Sequence, residues 1–201
     1  MIMEKLKDLL SKLNATSSED DIKKVFEDIA EILLFNSHIK TTTCNYRILE
    51  IEFYFWNKNH KDDVTIKRNE NGEPGMWWLH DYGVDLSLKC NVDNGKEEDS
   101  FYGGILIRSI GKLNQENKIC DSIIFGPRKC CWELFYSSAL DGNISPQIIQ
   151  NKEGREFDDD KGTTTRYITG KYKGIEGNYR FYVKEIPQKV DSNYKKASPW
   201  K

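Results

Sequence analysis

Arg47-Ile48-Leu49-Glu50-Ile51-Glu52-Phe53-Tyr54-Phe55-Trp56 is an apolar, β-branched and aromatic run that carries two carboxylates. Side chains of a strand point alternately to opposite faces. Leu49, Ile51, Phe53 and Phe55 therefore share one face, and Glu50, Glu52 and Tyr54 share the other. The spacing predicts a strand with one face in the core and one polar face. An ordinary half-buried strand with two solvated glutamates has the same pattern, so the residues around it must separate the two readings.

Toward the N-terminus, residues 3 to 13 alternate Leu and Lys at helical spacing, and a second helix begins after Thr16-Ser17-Ser18. Ser18 followed by Glu19, Asp20 and Asp21 is a capping box with acid in the first turn, and Ile22, Val25, Phe26, Ile29 and Leu33 form an apolar stripe. From residue 46 onward the pattern changes to short strands: 46 to 56, 76 to 80, 83 to 90, 102 to 110, 121 to 125, 164 to 169 and 178 to 186. The polar stretches 57 to 74, 91 to 100 and 151 to 161 separate them as loops, the last with the acidic run Asp158-Asp159-Asp160. The expected fold is α+β: one domain over 1–186, with a helical lead-in at 1–40 packed on a curved antiparallel sheet at 46–186. Residues 187–201 are expected to form a mobile tail.

With 201 residues, 38% hydrophobic and 31% charged, the composition is that of an ordinary globular domain. A formal net charge of −2 argues against a protein that coats nucleic acid with its whole surface, though a local basic face is compatible with it. No apolar run approaches the roughly 18 residues of a membrane span, and the N-terminus is amphipathic rather than signal-like. The expected location is the cytoplasm, with access to a nucleoid, or the nucleus. Cys44, Cys90, Cys120, Cys130 and Cys131 are odd in number and include no C-x-x-C pair, which suits reduced thiols. His38, His60 and His80 have no metal-ligand spacing, so neither a metal nor another cofactor is expected.

Arg108 is an isolated cation in the apolar strand Ile105 to Ile110, where an unpaired charge is costly. It needs a buried anion, and Glu52 is the natural partner; a plain salt bridge to Glu50 or to a surface aspartate is the alternative. Tyr82 precedes Gly83 in a hairpin, where an aromatic is either a capped hydrophobic residue or an exposed wedge. Trp77, Trp78 and Tyr54 offer π-faces, though tryptophan more often serves a core. Gly126-Pro127 before a helix leaves N–H groups free for a phosphate, and Arg128 and Lys129 add charge.

Taken in order, these segments resemble the alkyladenine (3-methyladenine) DNA glycosylase family. Arg47 to Tyr54 is similar to that family's Glu-Thr-Glu-Ala-Tyr strand, with Glu52 at the catalytic glutamate and Tyr54 at a base-stacking tyrosine. Pro74-Gly75 through Tyr82-Gly83 resembles the hairpin that the family pushes into the minor groove. Gly104 to Ile110 looks like its Val-Leu-Leu-Arg-Ala strand, and Gly126-Pro127-Arg128-Lys129 like its Gly-Pro-Gly-Lys turn. Thr165-Arg166-Tyr167-Ile168 and Tyr179-Arg180-Phe181-Tyr182-Val183 are similar to its closing pair of segments. The likeness spans residues 20 to 186. Three positions depart from it: Asp63-Val64-Thr65-Ile66 stands where the family carries a pocket histidine, Leu79 replaces a tyrosine, and Lys89 falls on a pocket asparagine.

The resemblance implies a monofunctional glycosylase that flips a damaged or modified base out of duplex DNA and hydrolyses its N-glycosidic bond as a monomer, without a cofactor. Such hydrolysis passes through an oxocarbenium-like sugar and needs a carboxylate to activate water. Glu52 is the expected general base and Arg108 its partner. The expected base pocket is Tyr54, Trp77, Leu79, Lys89 and Tyr167. Tyr82, Gly83, Arg128, Lys129, Arg166 and Lys171 are the expected DNA contacts. Two rivals stand beside this reading: a nucleic-acid binding module that does not cut, and an enzyme acting on small nucleosides.

Overall fold

In the computed structural model, the structure describes residues 4–65, 73–92, 96–140, 146–151, 154–168, 174–185 and 199–200. Two helices lead, α1 (Glu4–Leu10) and α2 (Glu19–Phe35). Ser18 caps α2 reciprocally: Asp21 N–H donates to its hydroxyl, and the Asp21 carboxylate accepts from its N–H. The stripe Ile22, Val25, Phe26, Ile29 and Leu33 is fully buried, and Phe26 stacks on Phe53 with centroids 4.2 Å apart. Each such side chain contributes about 1.5–3 kcal/mol by leaving water, so tertiary burial rather than helix propensity holds α2 in place.

The strands are β1 (Ser37–Lys40), β2 (Asn45–Trp56), β3 (Trp77–His80), β4 (Gly83–Ser87), β5 (Tyr102–Leu113), β6 (Ile119–Phe125), β7 (Gln147–Gln150), β8 (Lys161–Thr164) and β9 (Arg180–Val183). They form one curled sheet, antiparallel at every pairing among the described residues, and α3 (Pro127–Leu140) follows β6. The fold is α+β. Its order is β3-β4-β5-β2-β1-β7, and the long strands β2 and β5 carry branches: β6 continues from β5, and β9 with β8 from β2. β2 meets β1 near Tyr46 but β9 at Glu50 to Glu52, so one strand serves two neighbours along its length.

Four details depart from the sequence expectation, the first being β7 at Gln147–Gln150, where no strand was expected. Ser37–Lys40, placed in the helical lead-in, is a strand; with one apolar residue it is held by pairing on both edges, to β2 and β7. The strand expected at 164 to 169 lies at Lys161–Thr164 instead, where Gly162 faces the ring of Tyr182 so closely that there is no room for a Cβ. An aromatic ring over a strand glycine supplies the packing that the glycine lacks. Trp200, in the tail expected to be mobile, is anchored: its indole N–H donates to the Val183 carbonyl at 2.8 Å, and its ring meets Phe125 and Tyr182 edge-on.

Candidate active site

The two faces of β2 separate as the alternation requires, but the polar face is not solvated. Glu50 and Glu52 are both fully buried. Two register shifts between Ile48 and Ile51 leave Leu49 extra on β2 and Arg108 extra on β5. A bulge of this kind re-aims side chains. Here it brings Arg108 and Ser109 together onto Glu50, with Arg108 Nε 3.1 Å from Glu50 Oε1 and the Ser109 hydroxyl donating to Oε2 at 2.7 Å. Arg180 of β9 also donates to Glu50 Oε1.

Arg108 reaches both carboxylates. Its Nη1 stands 2.8 Å from Glu52 Oε2, so the expected contact and its structural alternative are both present. Tyr54 donates its hydroxyl to the other oxygen, Glu52 Oε1. Burial first, and the Glu52 charge second, hold the Tyr54 phenol well above its ordinary range, so it stays protonated as a donor. Oε2 is different. It is buried and has no donor in hydrogen-bonding alignment among the described residues, since Arg108 approaches it as an ion pair. Glu52 thus keeps Oε2 paired by charge beside a fixed guanidinium, in surroundings where electrostatic effects are strong.

Trp78, Asp85, Leu106, Glu52 and Arg180 line up in one row across β3, β4, β5, β2 and β9. Next to that row His80 Nδ1 accepts the Tyr82 backbone N–H at 3.2 Å, and Nε2 lies 3.2 Å from Asp85 Oδ1. The hairpin that carries Tyr82 is therefore tied to the polar face. Tyr82 is 63% exposed at its tip. The start of α3 buttresses it: Arg128 Nε donates to the Asp81 carbonyl at 2.6 Å, and Gly83, at φ +150°, approaches Pro127 so closely that a Cβ would meet it at 2.8 Å. Arg128 and Lys129 are exposed on the first turn of α3.

Several expected contacts lie elsewhere. Gly83 is buried against Pro127, a packing position rather than a DNA contact. Arg166 is a correction of the same kind: it is buried and forms a fork onto Asp62 at 2.6 and 2.9 Å, donates to the carbonyls of Phe53 and Ile175, and lies over the rings of Tyr54 and Tyr179. It clamps the loop after β2 and the Tyr54 ring from inside. Trp77 turns to the core face, edge-on to Phe135 with its N–H on the Pro146 carbonyl, and so offers no face to a base in the Glu52 row. Lys89 is exposed four residues past Asp85, against α1, with its N–H on the Leu10 carbonyl. Leu79 is 53% exposed near the hairpin tip and Tyr167 51% exposed beyond β8. Lys171 falls outside the described residues. Asp159 of the acidic run pairs with Arg47 at 2.6 Å.

Glu50, which the sequence offered only as the alternative salt-bridge partner of Arg108, completes the site together with Ser109, Arg180, Asp62, His80 and Asp85, and these five were not among the residues expected there. Among the described residues no group of three His, Cys, Asp or Glu is arranged to hold a metal ion. Also among them, no helix is long and apolar enough to cross a membrane. No protein-family model matches the sequence, and no curated protein matches it. The likeness to the alkyladenine glycosylases rests on the quoted segments alone.

His60, in the loop after β2 and beside the rings of Phe55 and Tyr179, carries a pH consequence. Burial pushes it below its ordinary 6.5, against the opposing charge of Asp62. As pH falls past that value the unfolded chain takes up a proton that the folded chain refuses. Its contribution to stability is complete above about pH 6.5 and is lost below it, at up to about 1.4 kcal/mol per pH unit. His60→Phe is expected to flatten the fall in Tm between about pH 7.5 and 5.5. An unchanged profile in thermal melts would assign the acid sensitivity to other groups.

Proposed function

We propose that this protein is a monofunctional DNA glycosylase that takes a damaged or modified base out of duplex DNA and hydrolyses its bond to the sugar. The observation that carries the reading is buried Glu52 set 2.8 Å from Arg108, in the strand row that leads to the Tyr82 hairpin. Each carboxylate oxygen has two lone pairs, so Oε2 can align a water beside Arg108 and take its proton, and the carboxylate charge balances the positive charge that develops on the sugar. Arg108 holds the carboxylate in place. Tyr54 closes the site, so a base reaches Glu52 only as the Tyr54 hydroxyl gives up its hydrogen bond and the ring becomes a stacking surface. Tyr82 fills the gap in the stack, and Arg128 and Lys129 take phosphates. The test is incubation with duplexes carrying alkylated, deaminated or hypermodified bases, with mass spectrometry for a released base.

One observation favours a second reading, a nucleic-acid binding module without hydrolysis: Glu52 is completely buried in the free protein, with Tyr54 and Arg108 on its two oxygens. Such a module would bind the same duplexes and release nothing. Both readings assign the wedge to Tyr82. Tyr82→Ala is expected to weaken duplex binding by about 10-fold or more and single-strand binding far less, because only a duplex leaves a vacated stack to fill. Equal losses on the two substrates would remove Tyr82 from that role.

A further inference from the structure

α3 has apolar or aromatic residues on more than its core side. Cys130 and Leu134 are fully buried, and Cys131 and Phe135 are half-buried against the core. Trp132 and Tyr136 point the other way, 65% and 49% exposed. Their rings are stacked, with centroids 4.5 Å apart and planes 13° from parallel. A large aromatic pair left in water without a core to serve is a signal of recognition. Arg128, Trp132 and Tyr136 fall at i, i+4 and i+8, one stripe about 12 Å long, and Lys129, three residues before Trp132, flanks it. The acid on this stretch, Glu133, is engaged at the other flank, accepting the Tyr46 hydroxyl at 2.7 Å.

We infer that the Trp132–Tyr136 face is a stacking platform for unpaired nucleotides, so that the preferred nucleic acid is a duplex with a single-stranded or melted stretch beside the hairpin. Parallel rings give a base an outer π-face on which to continue the column, and every base has such a face, so this binding is tolerant of sequence. Arg128 and Lys129 supply the cations that a phosphate backbone requires next to those rings. The stripe is continuous with the hairpin, because Arg128 itself bonds to the Asp81 carbonyl beside Tyr82. Strand and duplex would then be held on adjoining surfaces. The inference rests on the nucleic-acid reading above but not on hydrolysis.

The experiment titrates the full chain with a single-stranded oligothymidylate, a blunt duplex and a duplex carrying a single-stranded overhang. Wild type, Trp132→Phe, Trp132→Ala and Tyr136→Ala are compared at two salt concentrations. The wild-type minus Trp132→Phe fluorescence isolates one of five tryptophans. The expected result is quenching of that difference signal by the oligothymidylate. Trp132→Ala should lower affinity for single strand and overhang on the order of 10-fold, with Trp132→Phe largely retaining it and the blunt duplex little affected. Unchanged single-strand affinity in Trp132→Ala overturns the inference. So does a self-association of the wild type, seen by sedimentation, that Trp132→Ala abolishes, since the face then binds a second copy. Base release without a Trp132 effect sinks this inference alone; a Trp132 effect without base release sinks only hydrolysis.

Discussion

Glu52→Gln is expected to abolish most base release, by about 10²- to 10⁴-fold in single-turnover rate, while duplex affinity stays within a few-fold of wild type. The glutamine keeps the size of the side chain and still accepts the Tyr54 hydroxyl, but it cannot take a proton from water. What makes this variant informative is the fate of Arg108. Taking one partner from a buried pair ordinarily leaves an uncompensated charge and costs several kcal/mol. Here Arg108 keeps Glu50 at 3.1 Å, so the guanidinium remains paired. The stability cost should stay on the order of 1–2 kcal/mol, which for a chain of this size is a fall of a few degrees in Tm. Full release by Glu52→Gln would refute the hydrolytic reading, and release from neither protein across the duplex panel, with binding retained by both, favours the non-cutting module.

Arg108 is legible in the sequence because of its apolar surroundings. A lone cation in an apolar strand demands a buried anion, and the demand is met. The same rule applied to Arg180, ahead of Phe181-Tyr182-Val183, and to Asp85, between Val84 and Leu86, would have placed both on the polar face of the sheet. Their partners were out of reach, because β9 joins β2 from 130 residues away in a register that local pattern does not specify. The bulge at Leu49 and Arg108 was equally hidden. Arg166 departs from its expected surface role for a related reason: beside a tyrosine in a polar segment it looks like a surface cation, and only the fold brings Asp62 to it across 104 residues. The capped helix α2 was legible because its signals are local. Ser37–Lys40 was not, since its evidence lies in its neighbours.

Glu50→Ala is expected to be the more damaging change to the fold, though Glu50 performs no chemistry. Its carboxylate is fully buried and is shared by Arg108, Arg180 and the Ser109 hydroxyl. Deleting it leaves two guanidinium groups, 8% and 3% exposed, with one carboxylate, Glu52, between them. The loss should reach about 3–5 kcal/mol, a large part of the 5–15 kcal/mol that holds an average domain together. That corresponds to roughly 10 °C or more in Tm, read by circular dichroism or calorimetry. Glu50→Gln should fall between, since it can still accept from Ser109 but brings no charge. Glu50→Ala combined with Glu52→Gln should cost more than the sum of the single changes, because Arg108 then loses both carboxylates and each single change leaves it one. A Glu50→Ala protein as stable as Glu52→Gln would mean that the buried arginines find other compensation, and that Glu50 is not the anchor on which Arg108, and through it Glu52, is held.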